Sequence, residues 1–129
     1  MVAVDTNVLV RLLTGDHPAQ YRASRKLFAV EQVFIPDTVV LETAWVLRAA
    51  YDLEPATVCE ALRRVFGLPN VSLANADAVA RALDWHEDGL DFADAFHLAL
   101  SSGHDVLKTF DAGFISAARS LGPCRVEKP

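Results

Sequence analysis

Short apolar runs alternate along this chain with helical stretches, and two of those runs close on an aspartate. Val2-Ala3-Val4 closes on Asp5, and Val106-Leu107-Lys108-Thr109-Phe110 closes on Asp111. Strands that alternate with helices imply a parallel sheet with right-handed crossovers. Such sheets bind ligands beyond the carboxyl ends of their strands, where both aspartates fall. Val33-Phe34-Ile35, Val71-Ser72-Leu73 and Cys124-Arg125-Val126 read as further strands. The expected fold is therefore α/β and helix-rich, with a mostly parallel central sheet of about five strands. Whether the first and fourth strands are neighbours does not follow from periodicity.

The helices carry their own punctuation. Val8 to Leu13 is a short apolar helix ending near Gly15, and Pro18 opens a second helix that runs to Val30 with Ala23, Leu27 and Val30 on one side. Asp37 or Thr38 can cap a third helix reaching about Ala50, in which Val39, Glu42, Trp45 and Val46 share a face. Pro55 starts a fourth helix and Gly67 ends it; Asn75 caps a fifth, reaching about His86. Asp91 caps a sixth helix, Phe92 to Ser101, and Asp111 a seventh, Gly113 to Leu121.

A length of 129 residues fits one domain, residues 1–129, able to bury a core without disulfide staples. The 12 basic and 17 acidic residues give a formal charge of −5, which argues against holding nucleic acid by charge alone. Bound divalent ions would reverse the local field of an acidic site. Cys59 and Cys124 have no metal or redox spacing, and a reduced, cytoplasmic setting is the simplest reading. The N-terminus lacks the pattern of a signal peptide, and no stretch is long and apolar enough for a membrane span.

Four acids carry the chemistry: Asp5, Glu42, Asp94 and Asp111. Asp5 is either the cap of the helix beginning at Thr6 or a central metal ligand. Glu42 lies on an apolar helix, where a carboxylate either has a function, reaches solvent or pairs with an arginine. Asp94 stands three residues after Asp91, as in a capping box, and also in a first helical turn that favours a carboxylate. Asp111 follows Thr109 at a strand end, where hydroxyl and carboxylate together can position a water. Two like charges about 4 Å apart repel by about 4 kcal/mol at an effective dielectric near 20. A set of carboxylates in one cleft thus calls for a divalent cation, and oxygen donors suit Mg²⁺ or Mn²⁺.

In order and spacing, these residues resemble the PIN-domain ribonucleases, and among them the VapC-type toxins of toxin–antitoxin pairs. The resemblance rests on Val4-Asp5-Thr6-Asn7-Val8-Leu9, Pro36-Asp37-Thr38 with Leu41-Glu42, Asp91-Phe92-Ala93-Asp94-Ala95, and Thr109-Phe110-Asp111-Ala112-Gly113-Phe114. It implies a Rossmann-like α/β/α sandwich and an endoribonuclease that cleaves RNA with metal-activated water. Asp5, Glu42, Asp94 and Asp111 match the family's catalytic and metal-binding acids. Thr6, Asn7 and Thr109 match its polar supports, Asn7 orienting Asp5 or a water and Thr109 bonding near Asp5. Asp91 matches a frequent acid of the subgroup outside the usual ligand set. The resemblance further implies a homodimer and a cognate small DNA-binding antitoxin. A housekeeping PIN nuclease and an inactive RNA- or protein-binding PIN module are the alternative roles.

Other residues invite wider readings. His97, one turn after Asp94, could carry a proton or be a core or interface group. Arg22, Arg25 and Lys26 form a basic patch that is either a solvated face or a guide for RNA, with Arg11 nearby. Trp45 and Trp85 read as core or dimer-interface residues. Lys108 departs from the family pattern and either snorkels from the strand end, the favoured reading, or reaches a phosphate or an acidic neighbour. An aspartyl-phosphate phosphatase using Asp5 would need a second acid at Asn7 and a separate lysine.

Overall fold

Asp5 ends the first strand and begins the first helix. In the computed structural model, which describes residues 1–129, β1 (Val2–Ala3) leads into α1 (Thr6–Thr14), and the Asp5 carboxylate accepts a 3.3 Å hydrogen bond from the Val8 amide. The cap explains why the helix starts at Thr6, earlier than the apolar residues alone suggest. Gly15 ends α1 in the left-handed region at φ 65°, with its amide on the Arg11 carbonyl. A side chain at that φ would be strained, so glycine suits the position.

The chain forms two compact units, Met1–Ala76 and Asp77–Pro129. The first continues with α2 (Pro18–Val30), β2 (Val33–Ile35), α3 (Asp37–Ala49), α4 (Pro55–Phe66) and β3 (Val71–Leu73). Its three strands form a parallel ladder in the order β1-β2-β3, with Val2 opposite Val33 and Val33 opposite Val71. α1 packs against α2 and α3, α3 against α4, and α4 against β3. On α4, Val58, Leu62 and Val65 are buried at helical spacing, each contributing roughly 1.5–3 kcal/mol of burial free energy. Asn70 fastens the entry to β3 by donating to the carbonyls of Phe28 and Glu31 at 2.7 and 2.8 Å.

Three expectations for this unit need correction. The inner face of α2 carries Ser24 and Phe28, while Ala23 and Val30 are exposed. The bulk of Phe28 turns the helix, since one aromatic ring offers more burial than a valine in the last turn. At α3 the cap position is Pro36, which has no side-chain bond to give. Asp37 is already helical, and one of its oxygens receives the Asn75 amide at 2.7 Å. The buried face of α3 is Val39, Val40, Thr43, Ala44 and Leu47, so Glu42 and Trp45 point outward.

The second unit holds α5 (Ala76–Glu87, of which Ala76 closes the first unit), α6 (Phe92–Leu100), β4 (Val106–Lys108), α7 (Ala112–Ala117) and β5 (Arg125–Glu127). β4 and β5 pair in parallel, Leu107 opposite Val126. Lys108 joins them through Nζ, which donates to Glu127 at 2.8 Å and to the Lys128 carbonyl at 3.2 Å. His86, near the end of α5, is buried; its Nδ1 lies 2.8 Å from the Leu90 carbonyl and its ring stands edge-on to Phe92. α7 is shorter than the sequence suggests and ends at Ala117. Every strand pairing is parallel, but hydrogen bonds divide the five strands into ladders of three and two. β1 pairs with β2 alone, and β4 with β5 alone. Seven helices and five parallel strands place the chain in the α/β class, consistent with a Rossmann-like α/β/α fold.

Candidate active site

In the first unit the strand–helix turn and α3 bring Thr6 to Glu42. The Thr6 hydroxyl, on a buried residue, donates to the Glu42 carboxylate. No arginine pairs with Glu42, and the residue is exposed, so its carboxylate reaches solvent as well as the Thr6 hydroxyl. Asp5, one residue before Thr6, spends one oxygen on the α1 cap and stays exposed. Capping and ligand binding therefore do not exclude each other at Asp5, because its second oxygen is free. Asn7 is exposed and makes no side-chain hydrogen bond.

At the far end of α1 a polar cluster ties the α1–α2 turn to the end of α3. Asp16 receives Arg11 at 2.9 Å, Thr14 at 2.8 Å and the Tyr51 hydroxyl at 2.6 Å, and Arg11 also donates to Gln20 at 2.8 Å. The hydroxyls of Tyr51 and Thr14, then the Arg11 guanidinium, hold the Asp16 carboxyl down at about 2. Nothing in the sequence singles out Asp16, since its Tyr51 partner lies 35 positions away, just past α3. Arg11 is committed to this cluster, whereas Arg22, Arg25 and Lys26 lie exposed along α2 without an acid partner.

In the second unit Asp91 caps α6, its carboxylate accepting the Asp94 amide at 3.0 Å. Asp94 is half-buried in the first turn of that helix. Burial raises its carboxyl above the ordinary value, and the charges of Asp91 and then Asp111 raise it further; His97 opposes them. Asp111 caps α7 through the Phe114 amide at 3.0 Å. The Thr109 hydroxyl accepts the Asp111 amide at 3.1 Å, so within its own turn it supports Asp111. His97 is exposed on α6. Phe110, beside Asp111, is 82% exposed.

Neither unit gathers three His, Cys, Asp or Glu side chains into a metal-sized cluster. The donor set nonetheless suits a hard cation. All the candidate groups are carboxylates, and Asp94 is held under the field of two further acids with only His97 to offset it. A divalent charge would relieve that repulsion, which a neutral ligand would not.

Helices and parallel strands define the α/β class, whose ligands commonly bind beyond the carboxyl ends of the strands. The model of the PIN domain family matches residues 2–120, across both units, and the chain belongs to that family. PIN domains are generally metal-dependent nucleases. No curated protein and no solved structure matches the chain. No helix is long and apolar enough to cross a membrane.

Proposed function

We propose that this chain is a Mg²⁺- or Mn²⁺-dependent endoribonuclease, the toxin of a toxin–antitoxin pair, with Asp5, Glu42, Asp94 and Asp111 as the carboxylates that hold the metal. The single observation carrying the reading is membership of the PIN family over residues 2–120, whose domains are generally metal-dependent nucleases. A divalent ion held by these acids supplies water activation and stabilises charge on a phosphoryl oxygen. The protein's part is positioning. Thr6 fixes the Glu42 carboxylate by its hydroxyl, and the Val8 amide fixes one oxygen of Asp5 so that the other faces outward. Thr109 and the Phe114 amide hold the Asp111 turn, and the α6 cap by Asp91 presents Asp94 from a first helical turn.

Two features weigh against a protein nucleophile. Both cysteines are buried, and the one hydroxyl that donates to a candidate acid, that of Thr6 on Glu42, belongs to a buried residue. The phosphatase reading needs a lysine free to neutralise a phosphoryl group, yet Lys108 is committed to Glu127 and the Lys128 carbonyl, and Asn7 stands where a second acid is required. The homodimer and the antitoxin partner rest on the resemblance to the toxin subgroup, and the cytoplasmic location on two cysteines without metal or redox spacing.

Incubation of the purified protein with structured RNAs tests the metal mechanism. Cleavage is expected with Mg²⁺ or Mn²⁺, and neither with EDTA nor with Asp5→Asn. Undiminished cleavage in EDTA would sink it.

A further inference from the structure

The outward stripe of α3 runs acid, aromatic, cation. Glu42, Trp45 and Arg48 follow at spacings of three, which puts them one above another on a helix face, and all three are exposed. Trp45 is 67% exposed, which excludes the core reading and leaves that of a surface contact. A lone exposed apolar residue is ordinary; the flanking residues make this one informative. One turn back stands a candidate metal ligand. One turn on stands a guanidinium whose Nη1 donates to the Leu53 carbonyl at 2.8 Å, with no acid paired to it. That single bond steadies Arg48 and leaves its other N–H groups for an external acceptor.

We infer that this stripe seats one nucleotide of a single-stranded RNA, with the base stacked on the Trp45 indole and a phosphate on Arg48. The inference rests on the nuclease reading and names the residues that would position the strand beside Glu42. A base is flat and π-faced, as an indole requires, and stacking tolerates any base. A phosphate complements the unpaired guanidinium, which binds such oxygens in a planar fork. The pairing also answers the net charge of −5: an acidic chain holds a polyanion better with a stacking contribution than with charge alone. A second protein copy fits less well. The other exposed residues of α3 are Thr38 and Ala49, and its remaining outward apolar side chains, Leu41 and Val46, are already half-buried. One indole offers at most about 250 Å², against the roughly 800 Å² per partner of a stable protein interface.

The test measures binding separately from cleavage. In the Asp5→Asn parent, with Mg²⁺ present, a labelled oligouridine of about 12 nucleotides is titrated by anisotropy while tryptophan emission is recorded. Quenching is expected in the parent and absent in Trp45→Phe, which leaves Trp85 as the sole tryptophan. Trp45→Ala is expected to weaken binding by roughly 5- to 100-fold, and Trp45→Phe to recover most of it. Arg48→Gln is expected to reduce the salt slope of binding by about one. The inference is overturned if the parent does not bind the strand, or if Trp45→Ala binds as the parent does. It is equally overturned if Trp45→Ala changes only the sedimentation mass, which would assign the stripe to a protein contact. If wild-type protein cleaves RNA while Trp45→Ala keeps full affinity, the seat alone fails. If the strand binds through Trp45 and wild type cleaves nothing, the nuclease reading alone fails.

Discussion

Asp94 and Asp91 sit three residues apart on one helix end and do different work. Asp91 spends its carboxylate on the Asp94 amide, while the Asp94 carboxyl has no such bond and is pushed up by burial and by two neighbouring acids. Removing the charge of Asp94 therefore relieves a cost in the metal-free protein. Its folded pKa lies above the unfolded one, so ionisation on rising pH weighs against the folded state. Asp94→Asn should keep or raise the melting temperature in EDTA and abolish cleavage in Mg²⁺. Asp91→Ala should cost about 0.5–2 kcal/mol of stability through the lost cap and leave some cleavage. Denaturant melts paired with an RNA cleavage assay check both. Should Asp91→Asn be the inactive, metal-blind variant and Asp94→Asn remain active, the ligand role has been given to the wrong residue. Both aspartates were legible in the sequence as cap and candidate ligand, since the capping spacing is local. The link from Thr6 to Glu42 was not, because 36 positions separate the two partners and only the packed α1–α3 pair brings them together.

Elements were legible where their signals are local. Pro18 and Pro55 open α2 and α4, Asp5, Asp91 and Asp111 cap helices, and all five strands fall within two residues of where their apolar runs placed them. The face each helix buries was less legible. A residue advances 100° around a helix, so an outward Trp45 and an inward Thr43 differ by two positions, and tertiary packing decides between them. The polar cluster around Asp16 lay beyond sequence reasoning for the same cause, yet it fixes where α1 ends against α3. Its pH dependence follows from the sign of one shift. The Asp16 carboxyl lies at about 2 in the fold against 3.8 for the free group, so the folded state loses its proton more readily. The stability it contributes is present in full above the ordinary carboxylate value and fades as pH falls from about 4 toward 2. Asp16→Asn should remove that dependence, lowering the melting temperature near neutrality and flattening the acid limb of the curve. Thermal melts of both proteins across that window check it; parallel acid limbs would assign the acid sensitivity to other groups.

At the scale of the whole chain, the acidic set that calls for a cation also suggests how the activity is restrained. The family assignment covers residues 2–120 and carries the nuclease fold; the toxin role is our proposal. A group that competes for these carboxylates should silence the enzyme, and an arginine or lysine does so by pairing with them and displacing the metal. A cognate antitoxin would supply such a residue from a C-terminal segment that is disordered alone and folds on binding. The exposed face of α3, with Glu42 outward, leaves one of these acids open to such a segment. The hypothesis makes a cellular prediction. Expression of this chain alone should arrest growth, and co-expression with a small DNA-binding protein encoded beside it should restore growth. Asp5→Asn, which keeps a side chain able to cap α1, should be harmless without the partner, so that loss of toxicity reports the site and not the fold. Growth curves at matched protein levels decide the matter. If wild type is as harmless as Asp5→Asn while cleaving RNA in vitro, the toxin role fails and a housekeeping nuclease remains. If wild type is toxic and the neighbouring gene gives no relief, the nuclease stands and its restraint must come from elsewhere in the cell.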